Sequence, residues 1–127
     1  MAIRTEISLR LQNSPGALAG ICQMLSDEGV NILAMGLEAG GLLRLLVDNH
    51  LHAAGILAER HFQVDQRDVL YVTVPNEPGA LARVGRLLAG AGVNVEHAYG
   101  SAVEGGRMAA LVIGVADAQR ASAAAGV

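Results

Sequence analysis

The chain has 127 residues, a formal net charge of −3 and a 52% share of hydrophobic residues. That is room for one ordinary domain or two very small ones. The acidic balance argues against a nucleic-acid binder, which usually carries a basic footprint, and no apolar run approaches the roughly 18 residues of a membrane span.

Ile7, Leu9 and Leu11 alternate with Glu6, Ser8 and Arg10, a period that predicts a half-buried strand. Ser14-Pro15 offers a helix cap followed by proline at the first helical position. Leu18, Ile21, Cys22 and Leu25 then form the i, i+3, i+4, i+7 stripe of a helix that Gly29 ends. A second strand is predicted over 30–37, a turn at Gly40-Gly41, and a third strand over 42–48. A second helix follows over 52–60, and a short fourth strand over 62–64.

The pattern is then written again. Asn13-Ser14-Pro15-Gly16-Ala17-Leu18-Ala19 returns as Asn76-Glu77-Pro78-Gly79-Ala80-Leu81-Ala82, and Gly29-Val30-Asn31 returns as Gly92-Val93-Asn94. Leu70, Val72 and Val74 stand for Ile7, Leu9 and Leu11; Leu81, Val84 and Leu88 stand for Leu18, Ile21 and Leu25. A third strand is predicted over 108–115 after the Gly105-Gly106 turn, and a helix over 117–125. No sequence then remains for a fourth strand of the second copy, which exposes the edge of its first strand unless another segment covers it. A repeat of this length signals one supersecondary unit used twice. The expected fold is therefore α+β: two tandem βαββαβ units, residues 1–66 and 67–127, with antiparallel sheets and helices on one face. A single copy of about 60 residues would bury only roughly 60% of its unfolded surface. The copies should therefore pack together and against a second chain, as a homodimer. Both third strands are apolar on both faces, so the second sheet face or the sheet edge is expected to be covered by the other repeat or by a partner subunit.

The junction between first strand and first helix is where a ligand site is expected. Pro15 and Gly16 turn the chain, and Gly16 removes the side chain that would keep a ligand from the backbone. The N–H groups of Gly16, Ala17 and Leu18 sit at the positive end of a helix, a setting that favours an anion. Asn13 adds a donor and an acceptor, which suits an amino acid's ammonium and carboxylate. Asn31 opens the next strand, and the second copy offers Asn76, Pro78, Gly79, Ala80, Leu81 and Asn94. The plainer interpretation is that these are turn residues, and duplicated turns recur too.

The pattern of apolar strand, Asn-x-Pro-Gly-Ala-Leu-Ala helix and Gly-Val-Asn strand resembles the ACT domain, a regulatory amino-acid-binding module with a ferredoxin-like fold. The resemblance covers nearly the whole chain and is similar to small stand-alone tandem ACT proteins, through His61-Phe62-Gln63-Val64 and Val74-Pro75-Asn76-Glu77-Pro78-Gly79. It implies a cytoplasmic, non-catalytic protein that binds a free amino acid at an interface between domains, with no cofactor. It also admits a separate metabolic enzyme as partner. By motif it nominates Asn13, Gly16, Ala17 and Leu18 with Asn94, and Asn76, Gly79, Ala80 and Leu81 with Asn31. Some serine-binding members carry a histidine two residues before the motif Asn; Leu11 and Val74 stand there instead, so serine is not favoured. His97 and Tyr99 follow Asn94 where Ala34 and Gly36 follow Asn31. If these strands line the pockets, His97 or Tyr99 is expected to help set side-chain selectivity; otherwise both are ordinary surface or interface residues. The alternative is an assembly subunit that keeps the fold without a working ligand site.

Other chemistries fit less well. Arg4, Glu6 and Arg10 interrupt any signal-peptide pattern. Cys22 is the only cysteine, so no internal disulfide or cysteine zinc cluster is expected, and it is read as a buried small hydrophobe. His50, His52, His61 and His97 lack partners at metal-ligand spacing. RNA-recognition domains share the βαββαβ order but stack bases on aromatics, of which this chain has only Phe62, Tyr71 and Tyr99. No nucleophile–base pair or paired carboxylates suggest catalysis.

Overall fold

The computed structural model of the chain describes residues 1–126; residue 127, the end of the expected second domain, lies outside the described residues. Ten elements follow in order: β1 (Ala2–Arg10), α1 (Ala17–Asp27), β2 (Ile32–Leu37), β3 (Leu42–Val47), α2 (His50–Glu59), β4 (Asp65–Pro75), α3 (Ala80–Gly90), β5 (His97–Ala102), β6 (Met108–Gly114) and α4 (Ala118–Ala125). The fold is α+β, with antiparallel strand pairs and four helices. It divides into two compact units, one of Thr5–Arg67 and one of Met1–Arg4 with the residues from Asp68 onward.

In the unit of Thr5–Arg67 the strands run β2-β3-β1. Ile7 lies opposite Leu45 and Leu9 opposite Leu43, so the alternation in β1 and that in β3 put four large aliphatic residues on one face. The stripe of α1 closes onto them with Ile21 and Leu25, and α2 adds Ala53, Ile56 and Leu57. Cys22, expected in that buried stripe, is only half-buried. β3 is apolar on both faces, and Leu46, on the face away from this core, is also fully buried. Glu6 is buried on that second face too, 3.8 Å from Arg44, whose guanidinium also pairs with Glu38.

Helix α2 starts at His50 rather than at residue 52, because the Asn49 side chain accepts a hydrogen bond from the His52 N–H and caps it. It ends where His61 adopts a left-handed φ of 68°, and the Phe62 N–H donates back to Leu57 O. The expected short strand over 62–64 does not form. Leaving that left-handed turn, Phe62 and Val64 pack against the core as an irregular segment, and the strand begins at Asp65. It then continues without a break to Pro75, extending the strand expected around Leu70, Val72 and Val74 toward its N-terminal end.

The second unit repeats the plan. Leu70, Val72 and Val74 of β4 pair across from Ile113, Leu111 and Ala109 of β6, with β5 on the far side of β6. Ala80, Val84 and Leu88 of α3 and Ala118 and Ala121 of α4 cover that face. Met1 and Ile3, from the start of β1, pack against this same core. Asp117 caps α4 by accepting from the Arg120 N–H.

Candidate functional site

Both Asn-x-Pro-Gly turns close a strand and open a helix, and they do so in one geometry. Gly16 and Gly79 are the N-cap residues of α1 and α3, with φ of 84° and 87°. That left-handed conformation costs a residue with a Cβ about 1–2 kcal/mol, which accounts for glycine at both places. The cap expected from Ser14 is absent: no side chain caps either helix. Instead the Ala17 N–H donates to Ser14 O and the Ala80 N–H to Glu77 O, both at 3.3 Å, with Pro15 and Pro78 inside these turns. The next N–H groups, Leu18 and Ala19 in one unit and Leu81 and Ala82 in the other, occupy the helical turn that lacks intrahelical acceptors. They present partial positive charge to whatever lies before the helix.

A cavity of about 370 Å³ adjoins the second turn. Val74 to Glu77 form one wall, Ala80 and Leu81 another, and residues 98–102 of β5 with Ala109, Ala110 and Leu111 of β6 the rest. Beside the first turn a cavity of about 350 Å³ is lined by Gln12, Asn13, Ser14, Ala17 and Leu18 together with Leu37, Glu38 and Gly41. Pro15, Gly16 and Ala17 also border a neighbouring hollow that reaches Gly20, Met24 and Phe62.

The two motif asparagines behave differently. The Asn76 side-chain amide donates to Gly106 O at 3.0 Å and to Val103 O at 3.4 Å, while the Asn76 N–H donates to Arg107 O. It therefore ties the β5–β6 turn down beside the helix start, and its amide oxygen remains as an acceptor. The matching β2–β3 turn is held otherwise, by the Leu11 N–H donating to Gly41 O at 2.8 Å and by Arg10 Nη1 donating to Gly40 O at 3.2 Å. The second turn also carries an ion pair, Glu77 Oε1 to Arg83 Nη2 at 2.9 Å; Ser14 and Gly20 stand at those places in the first copy.

Asn31 and Asn94 lie elsewhere within their units. The Asn31 N–H donates to Asp48 Oδ1 and the Asp48 N–H to Asn31 O, which fastens the start of β2 to the end of β3. Asn94 lines a separate cavity of about 320 Å³ with Glu96, Asp117 and Arg120. Neither lines the cavity beside its own unit's turn.

Several neighbours of the turns escape a reading of motifs. Val103, Gly106 and Glu38 come to the site because antiparallel pairing sets Pro75 opposite Met108 and Arg10 opposite Leu42. The glycine pairs 40–41 and 105–106 are visible as turns, and that register is the signal that would place them. Tyr99 does reach the second cavity, with the His97 ring stacked beside it at 6.2 Å between centroids. Among the described residues no group of three or more His, Cys, Asp or Glu side chains is placed to hold a metal, and no helix is long and apolar enough to cross a membrane.

Residues 69–125 match the family model of the ACT domain. The second unit carries an ACT domain. A solved protein from Bacteroides thetaiotaomicron is 30% identical to it over 96% of this chain and 85% of its own, with a TM-score of 0.87. The ligand-free regulatory subunit of aspartate kinase from Thermus thermophilus is similar in fold, at 19% identity, a TM-score of 0.72, and coverage of 98% and 92%. Aspartokinase III of E. coli, solved with lysine and aspartate in its T-state, shares the fold at 16% identity and a TM-score of 0.62, over 94% of this chain and 30% of its own. No curated protein matches the chain in sequence. The ACT match falls on the second unit, where the turn of Asn76 to Leu81 and the cavity beside it lie.

Proposed function

We propose that the chain is a non-catalytic regulatory protein in which two tandem ACT domains, residues 1–66 and 67–127, bind a small free amino acid at their Asn-x-Pro-Gly turns. The observation that carries this reading is the pairing, in the second unit, of an uncapped helix start with a cavity of about 370 Å³. The N–H groups of Leu81 and Ala82 would receive the carboxylate. The Asn76 amide oxygen would accept from the ammonium, and the cavity would take the side chain. In the first unit Asn13, Pro15, Gly16, Ala17 and Leu18 form the same kind of turn. Asn31 and Asn94 are proposed as contacts from a neighbouring ACT domain, since neither reaches the cavity of its own unit. The second domain is proposed to lack a last strand of its own, with Met1 to Arg4 of β1 standing in its place. The likeness in fold to an aspartokinase solved with two amino acids supports a regulatory role. The proposal adds a cytoplasmic homodimer, with a separate metabolic enzyme as a candidate partner.

A thermal-shift screen of the full chain against the twenty amino acids tests the reading. A ligand at about 100 times its Kd adds roughly 2.7 kcal/mol of stability, a shift of several degrees for a protein of this size. One amino acid or one chemical class should raise the midpoint, and a flat response to all twenty would refute it.

One observation favours the second reading, an ACT-type assembly subunit without a ligand. The Asn76 amide nitrogen is committed to Gly106 and Val103, so this asparagine already has work that holds the turn together. Co-purification of an enzyme with a chain that responds to no amino acid would support that reading.

A further inference from the structure

Accepting the amino-acid-binding reading on which it rests, we infer that the cavity of the second unit selects an aliphatic amino acid of leucine or isoleucine size, and rejects acidic and basic ones. The side chains around it are Val74, Ala80, Leu81, Ala98, Ala109 and Leu111 for the most part. Two titratable groups line it, Glu77 and Tyr99, and among the described lining residues there is no arginine. The chain has no lysine at all, so every cation outside the N-terminus and the histidines is an arginine. An aspartate or glutamate ligand would therefore place its side-chain carboxylate against alanine and leucine, because the one arginine at this turn, Arg83, is paired with Glu77 and does not line the cavity. A carboxylate left without a partner there binds poorly. A lysine ligand would look to Glu77, but that carboxylate is already engaged by Arg83 at 2.9 Å.

The methylenes of an aliphatic side chain match these walls. Each one removed from water should tighten binding by about fourfold. The volume comes from the small residues of β5 and β6. Gly100 is fixed in that role, because a Cβ there would stand 2.4 Å from Ala110 O and 2.9 Å from Leu111 Cδ1. The first cavity is of another character, with Gln12, Asn13, Ser14 and Glu38 on its walls, and the selectivity is assigned to the second alone.

The experiment is isothermal titration of the full chain with L-leucine, L-isoleucine, L-alanine, L-serine, L-aspartate and L-lysine, repeated on two variants. Ala98→Phe fills the cavity from an exposed position on β5, and Leu81→Ala trims an exposed wall at the helix start. Leucine or isoleucine should bind at least tenfold more tightly than alanine and show no competition from aspartate or lysine. Ala98→Phe should weaken that binding tenfold or more, and Leu81→Ala about fivefold or more, with each variant's unliganded melting midpoint close to the parent's. Tighter binding of serine, aspartate or lysine would overturn the aliphatic selectivity and leave the amino-acid reading standing. Leucine affinity unchanged in both variants would overturn the location. Silence from all six, together with a flat response to the other amino acids, would bring down the amino-acid reading itself.

Discussion

Asn13 and Asn76 hold the same place in the repeat and different bonds in the structure. Asn76 donates to two carbonyls of the β5–β6 turn, so Asn76→Ala should cost about 1 kcal/mol in urea unfolding, the net worth of an ordinary hydrogen bond. Asn13→Ala should cost less than about 0.5 kcal/mol, as surface substitutions usually do. Equal costs would mean that the turn bond contributes nothing. A second residue-scale test concerns Gly114, which lies opposite His97. A Cβ on Gly114 would meet the imidazole ring at 2.0 Å, so Gly114→Ala must swing the ring off its stack with Tyr99. About 1 kcal/mol of destabilisation is expected, and it should largely vanish when the same change is made on a His97→Ala background. At this scale the sequence names the turn residues well but not their partners. Glycine at 16 and 79 is legible from chain reversal; the hold of Asn76 on Gly106 requires the β4–β6 register, which no motif carries.

Elements follow the hydrophobic periods closely, and they depart from them where local chemistry intervenes. The stripes of α1 and α3 and the alternation of β1 and β4 are visible from residue types alone. The start of α2 shifts to His50 because of an asparagine cap, and the strand expected over 62–64 gives way to the left-handed turn at His61. Both departures rest on single-residue features that a window of apolar spacing averages away. Strand β2 raises a different matter. It ends the order β2-β3-β1 and leaves Leu33, Met35 and Leu37 between 39% and 46% exposed in one row. An apolar edge strand of this kind invites pairing with another chain. For the proposed homodimer, Met35→Glu should weaken self-association at least tenfold in sedimentation equilibrium while leaving the circular dichroism spectrum unchanged. A chain that sediments as a monomer before the substitution would remove the homodimer from the proposal.

Across the molecule, the copies seen in the sequence and the units seen in the structure have different boundaries. Met1 to Arg4, at the start of β1, belong with the residues from Asp68 onward, while the first unit runs through Arg67 into the opening of β4. Repeat detection does not point to β1 as part of the second unit, because the opening of β1 reads as part of its own strand. The energetic consequence is testable. Ile3→Asp sets a carboxylate against the core built on Leu70 and Ile113, and should cost about 2 kcal/mol or more in urea unfolding. A fragment of residues 68–127 should be largely unfolded by circular dichroism, and a fragment that melts cooperatively would contradict the packing assigned to residues 1–4.

These shared strands also bear on how the chain can be divided. A cut near residue 66 falls within the opening residues of β4, and removing the first copy also removes Met1 and Ile3 from the core they complete. Neither half can be excised along the sequence repeat without taking part of the other's packing with it. A substitution at the start of β1 is felt by residues that lie more than half the chain away.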